Sequence, residues 1–133
     1  MSYPNTDLRA TFIAFCEDFN DAKTATNYNA VKKYLYSPVT MQYVDDPGER
    51  TDSPQGIVNY LNSDQAQGNW PKFIPDQSKI AICKRHRIGN VTGPATYQDM
   101  LDVKPINVSY SFRFKLDANN FWLIAFASAT PTP

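Results

Sequence analysis

The stretch Ile106-Asn107-Val108-Ser109-Tyr110-Ser111-Phe112-Arg113-Phe114-Lys115-Leu116 decides the fold. Apolar and polar residues alternate without a break. A period of two is that of a strand with one face in a core and the other in water. Asp117-Ala118-Asn119-Asn120 supplies turn chemistry next to it. Phe121–Ala129 then returns as the partner strand. The return strand is apolar on both faces, with Trp122, Ile124 and Phe126 on one and Leu123, Ala125 and Ala127 on the other. Both faces are therefore expected to be covered. The tail Thr130-Pro131-Thr132-Pro133 is expected to stay outside the ladder and fray, because proline has no N–H to give it.

Upstream of this hairpin, prolines punctuate the chain. Proline is expelled from helix interiors and central strands, so the elements are sought between them. Lys79–Ile88 reads as one strand. Gly93-Pro94 reads as a turn or break, with a further strand over Ala95–Leu101. Residues 63–77 carry Trp70 and give no assignable pattern. Before them, Ser53-Pro54 is a helix start, a serine N-cap with proline at the first helical position. That helix is expected to reach Asn62 and to bury Ile57, Val58 and Leu61. Val39–Asp45 alternates as a strand.

The N-terminal part is helical. Leu8, Phe12, Phe15 and Phe19 recur at steps of 4, 3 and 4, one face of a 3.6-residue period. Thr6 is the expected N-cap, with Asp7 in the first turn. Glu17, Asp18 and Asp21 oppose the dipole at the far end, so the helix is expected to stop near Asn20. A second helix is expected over Thr26–Tyr36, ended by Ser37-Pro38. Helices followed by a run of antiparallel strands make the class α+β.

The chain of 133 residues suits one domain, taken as residues 1–133. With 42% hydrophobic and 20% charged residues it can bury a core. Thirteen basic residues balance thirteen acidic ones, which removes the electrostatic case for nucleic acid or an anionic membrane as partner. No apolar run reaches the roughly 20 residues of a membrane span, and the polar start is no signal peptide, so a cytoplasmic location is expected. Cys16 and Cys83 make neither a disulfide framework nor a zinc site. Asp45, Asp46, Glu49 and Asp52 cluster without the ligand spacing of a calcium loop, so no metal is expected.

The segments Tyr34-Leu35-Tyr36-Ser37-Pro38-Val39, Val44-Asp45-Asp46-Pro47 and Ser53–Leu61, with the closing pair Val108–Phe114 and Phe121–Ala129, occur in an order that resembles the nuclear transport factor 2-like, or cystatin-like, superfamily. Within it the chain is most similar to the SnoaL-like polyketide cyclase and ketosteroid isomerase branches. The resemblance implies three N-terminal helices on a strongly curved, mainly antiparallel sheet, forming a cone with a pocket. It also implies cofactor-independent acid–base chemistry on a hydrophobic cyclic or aromatic substrate. Asp46, followed by Pro47, matches the isomerase general base. Phe15 stands where that branch has a tyrosine, and Ser109–Phe112 holds no carboxylate where it has an acid, so both oxyanion donors are missing.

Candidate partners for Asp46 are Tyr43, Tyr97, Tyr110 and His86. Candidate pocket walls are Phe15, Tyr43, Tyr97, Tyr110, Phe112 and Trp122. His86, the only histidine, would share a face with Ile80, Ile82 and Ile88 if its strand alternates. The run Lys84–Arg87 otherwise reads as a solvated basic face, and Asp46-Pro47-Gly48 as ordinary turn chemistry. The other reading of the whole chain is a non-catalytic ligand-binding or protein-interaction domain. Either way, the two-sided apolar strand predicts a homodimer through the outer sheet face.

Overall fold

A computed structural model describes residues 6–25, 28–42, 49–66, 71–98 and 104–132. Helix α1 spans Leu8–Ala25, and a 3-10 helix covers Tyr28–Tyr34. Strand β1 is Leu35–Gln42, β2 is Glu49–Asp52 and helix α2 is Pro54–Ala66. Strands β3 (Lys72–Pro75), β4 (Ala81–Arg85), β5 (Ile88–Gln98), β6 (Ile106–Leu116) and β7 (Trp122–Pro131) complete the order. The sheet runs β2-β1-β7-β6-β5-β3, with β4 also paired to β5. Among the described residues every strand pairing is antiparallel except β1 with β7, so the sheet is mixed, curled and open, with the helices on its inner face.

Strand β6 is the spine. Val108, Tyr110, Phe112 and Phe114 are buried while Asn107, Ser109, Ser111 and Arg113 are exposed, the alternation read from the sequence. The inward rings meet α1 at Phe12, which lies 5.2 Å from Tyr110 and 5.2 Å from Phe112, centroid to centroid. Each such ring pair adds about 0.5–1.5 kcal/mol to the burial itself. Helix α2 starts as expected: the Gly56 amide donates to Ser53 Oγ at 3.1 Å, and the Ile57 amide to the Ser53 carbonyl.

Several expectations need correction. Helix α1 is capped by Asp7, not Thr6, since Asp7 Oδ1 accepts from the Ala10 amide at 2.9 Å. It also continues past Asn20 to Ala25. Asp18 is tolerated late in the helix because Tyr34 Oη donates to it at 2.7 Å and Lys33 Nζ lies 3.7 Å away. The second helix is 3-10, burying Tyr28, Val31 and Tyr34 at a spacing of three, and β1 begins at Leu35 and runs through the cis Ser37–Pro38 peptide. Residues 72–75, inside the unassigned stretch, form β3.

Lys79–Ile88 is not one strand. The chain reverses at His86-Arg87, and His86 takes φ 56° there, so it does not share a strand face with Ile82 and Ile88. Gly93-Pro94 is no break either. It lies inside β5, at the gap where β5 exchanges β4 (to Thr92) for β3 (from Ala95) as its edge partner. A proline without N–H costs little at such a gap, and its carbonyl accepts from the Asp76 amide at 3.1 Å. The tail does not fray at Thr130: Thr130 and Pro131 pair with Ser109 and Val108, and the Thr132 amide donates to the Asn107 carbonyl.

The last correction bears on the site. Arg113 pairs with Phe126 but Phe114 pairs with Ile124, so Ala125 is an extra residue in β7, a β-bulge. Strict alternation would carry Phe126 inward with Trp122 and Ile124. The bulge instead turns Ala127 and Ala129 inward and leaves Phe126 and Ser128 with the outer face.

Candidate functional site

Level by level, the inner face runs Gly89–Phe114–Ile124–Leu35, then Val91–Phe112–Ala127–Met41, then Gly93–Tyr110–Ala129. The first level is packed solid: Phe114 and Ile124 have no exposed surface, nor has Phe12 on the helix above. At the second and third levels the alanines of β7 leave a cavity of about 70 Å³. Among the described residues it is lined by Phe15 and Phe19 of α1, Met41 and Gln42 of β1, Phe73, Tyr97, Phe112, and Ala127, Ser128 and Ala129 of β7. Phe19, Met41 and Ala127 keep 8%, 9% and 7% exposure, so the hollow communicates with solvent where the first level does not.

The local sequence explains how these walls are held. Phe15 and Phe19 are one helical turn apart, 5.9 Å between rings, and Phe15 meets Phe112 edge-on at 5.8 Å. Phe73 is set by Asn20, whose side-chain amide donates to the Phe73 carbonyl at 2.7 Å and accepts its N–H at 2.8 Å. One side chain thus satisfies both backbone groups, as a neighbouring strand would. In the sequence Asn20 reads as a helix end. A polar residue one helical step past Phe19 was the only available hint of this role.

Of the expected pocket residues, the structure brings Phe15, Tyr97 and Phe112 together around the cavity. Tyr110 is buried beside them, its ring 5.4 Å from Phe73 and 5.9 Å from Phe112. Its hydroxyl makes no hydrogen bond among the described residues. Burial pushes its pKa up to about 12; neighbouring Cys16 and Asp76 add to the rise and Arg9 opposes it. Trp122 packs at the solid end, where its indole N–H donates to the Thr6 carbonyl at 3.2 Å, away from the cavity-lining set. His86 is exposed on its turn. Asp46 and Tyr43 lie outside the described residues; in the chain they follow Gln42, a lining residue, by four and one positions.

Nothing ionisable other than the Tyr97 phenol stands among the described lining residues. By register, the side chains of Gln42 and Ser128 belong to the outer face, with Thr40, Phe126 and Ser111. Apart from the Tyr97 phenol, the described interior is therefore mostly carbon. Cys16 is buried and its thiol is held far above the usual range, by burial first and by Glu17 second, which makes it no nucleophile. Among the described residues no group of histidines, cysteines and carboxylates could hold a metal ion, and no helix is long and apolar enough to cross a membrane.

No family model matches the sequence, and no curated protein matches it. Solved structures do. A candidate calcium/calmodulin-dependent protein kinase II association domain from Xanthomonas campestris superposes with a TM-score of 0.68 at 17% identity, covering 96% of this chain and 90% of that one. A candidate dehydratase of the NTF2-like family from Streptomyces avermitilis gives 0.69 at 10% identity, over 92% and 94%. A candidate ketosteroid isomerase from Parabacteroides distasonis gives 0.66 at 12%, over 99% and 93%. Other neighbours are described as having a cystatin-like fold. At these identities the likeness is one of fold, and it covers nearly the whole of the chain.

Proposed function

From the cystatin-like fold of NTF2-like proteins, we propose that this chain is a small-molecule-binding protein that takes the apolar part of its ligand into the cavity under α1. The apolar hollow, beside a level of the same face that is packed solid, supports that reading. Concave, mostly apolar sites with few polar groups are where such ligands bind. Chemistry, where it occurs, is proton transfer by Asp46: its carboxylate takes a proton from the carbon next to a substrate carbonyl and returns it at a second position. Tyr97, the one phenol in the described lining, is the candidate partner at the oxygen that becomes negative. No organic cofactor or metal enters this scheme. A cytoplasmic location suits two cysteines that are both free.

The test is turnover of cyclic ketones and polyketide-like aromatics by the native chain and by Asp46→Asn. Loss of turnover in a variant that still binds its ligand supports the enzyme. Binding without turnover in either protein would leave a ligand carrier, the reading favoured by Phe15 in place of a tyrosine and by the lack of a carboxylate over Ser109–Phe112. The proposed homodimer would use the outer sheet face, where Phe126 of β7 lies beside Thr40 and Arg113. Light scattering at micromolar concentration that returns a monomer would remove it.

A further inference from the structure

Resting on the pocket reading above, we infer that Ala127 and Ala129, turned inward by the bulge at Ala125, limit the ligand group to an uncharged apolar end smaller than a benzene ring. The register carries the argument. Ile124 fills the inner face at the level of Phe114, and one level on, opposite Phe112, the same strand offers only the methyl of Ala127. Met41 closes the far side, since it pairs with Ala127.

What is left measures about 70 Å³. An apolar cavity of about 150 Å³ holds benzene or xenon, so this one has room for a single large atom or a short branched alkyl end and not for a whole ring. Among the described lining residues none could neutralise a charge, which favours an uncharged end here. A ring system, if it binds, lies across the mouth with a substituent inserted.

Xenon and benzene are the probes, read on the full chain through the methyl signals of Met41, Ala127 and Ala129 in proton–carbon spectra. Xenon is expected to shift all three in the native protein, and benzene to shift none. Ala127→Leu fills the hollow and should abolish the xenon shifts at Met41 and Ala129. Ala129→Val gives the same loss should the leucine fail to fold. Met41→Ala enlarges the hollow and should bind benzene at least about ten-fold more tightly than the native chain does. Native benzene binding as strong as in Met41→Ala overturns the size limit and leaves the pocket standing. Xenon shifts that persist in the folded leucine and valine variants overturn the assignment to these alanines. Absence of any xenon shift in the native protein sinks the pocket reading itself, and the limit with it.

Discussion

Strands β5 and β7 flank β6, and both present small residues to the inside: Gly89, Gly93 and Ala95 on β5, Ala127 and Ala129 on β7, with Gly93 and Ala129 at the same level beside Tyr110. On the β5 side the space is taken. A methyl added to Gly89 would come within 2.5 Å of Leu8 Cδ2, and one added to Gly93 within 2.8 Å of both the Lys79 carbonyl oxygen and Tyr110 Oη. On the β7 side the space is the cavity. Small residues in a sheet thus have two opposite uses: they let a helix and a phenol approach closely, or they leave room for something that is not protein. The sequence of either strand alone does not distinguish the two.

The largest effect is expected where β7 is still filled. Ile124→Ala extends the alanine side into the solid level and should cost about 2–5 kcal/mol in urea denaturation; a smaller loss would mean that this level is not packed as described. A matched pair comes next. Gly93→Ala pushes against backbone at Lys79 and should cost about 1–3 kcal/mol, whereas Ala127→Val grows into the hollow and should change stability by less than about 1 kcal/mol. Equal costs in the two variants would erase the contrast between the flanks.

The smallest change concerns the phenol that fills the β5 side. Tyr110→Phe removes a buried hydroxyl without a described partner and should stabilise the protein by about 1 kcal/mol at neutral pH. The same variant should flatten the alkaline limb of the stability curve. The folded phenol titrates at about 12 against an ordinary value of 10.0. Between those values the native state holds a proton that the unfolded chain has released, so native stability falls as pH rises through the window. A steep alkaline loss that survives in Tyr110→Phe would assign it to another group.

Elements whose pattern agrees with their local chemistry were legible: β6 from its alternation, α2 from Ser53-Pro54, the last hairpin from Asp117–Asn120. What could not be read depends on partners distant in the chain. Pro94 is compatible with a strand only because β5 changes neighbours there, and the turn at His86-Arg87 carries neither glycine nor asparagine. The bulge left no mark, since Ala125 is one more small apolar residue in an apolar run. Phe15, Tyr97 and Phe112, expected as pocket walls with the help of the family resemblance, line the cavity, whereas Tyr110 and Trp122, equally aromatic and buried, are absent from its described lining. Phe19, Phe73 and the alanines were not expected there. Emptiness is a property of what surrounds a residue, and no single side chain encodes it.

The parallel pairing of β1 with β7 sets an order in time. Leu35 lies against Ile124, and Met41 against Ala127, across most of the length of the chain. Contacts of such sequence separation form slowly, because a long loop must close before they return anything. As the chain is synthesised, α1, β1 and α2 exist long before β7 does. The Met41 wall of the hollow therefore has nothing to stand against until the last strand arrives, and the cavity is among the last features of the molecule to take shape.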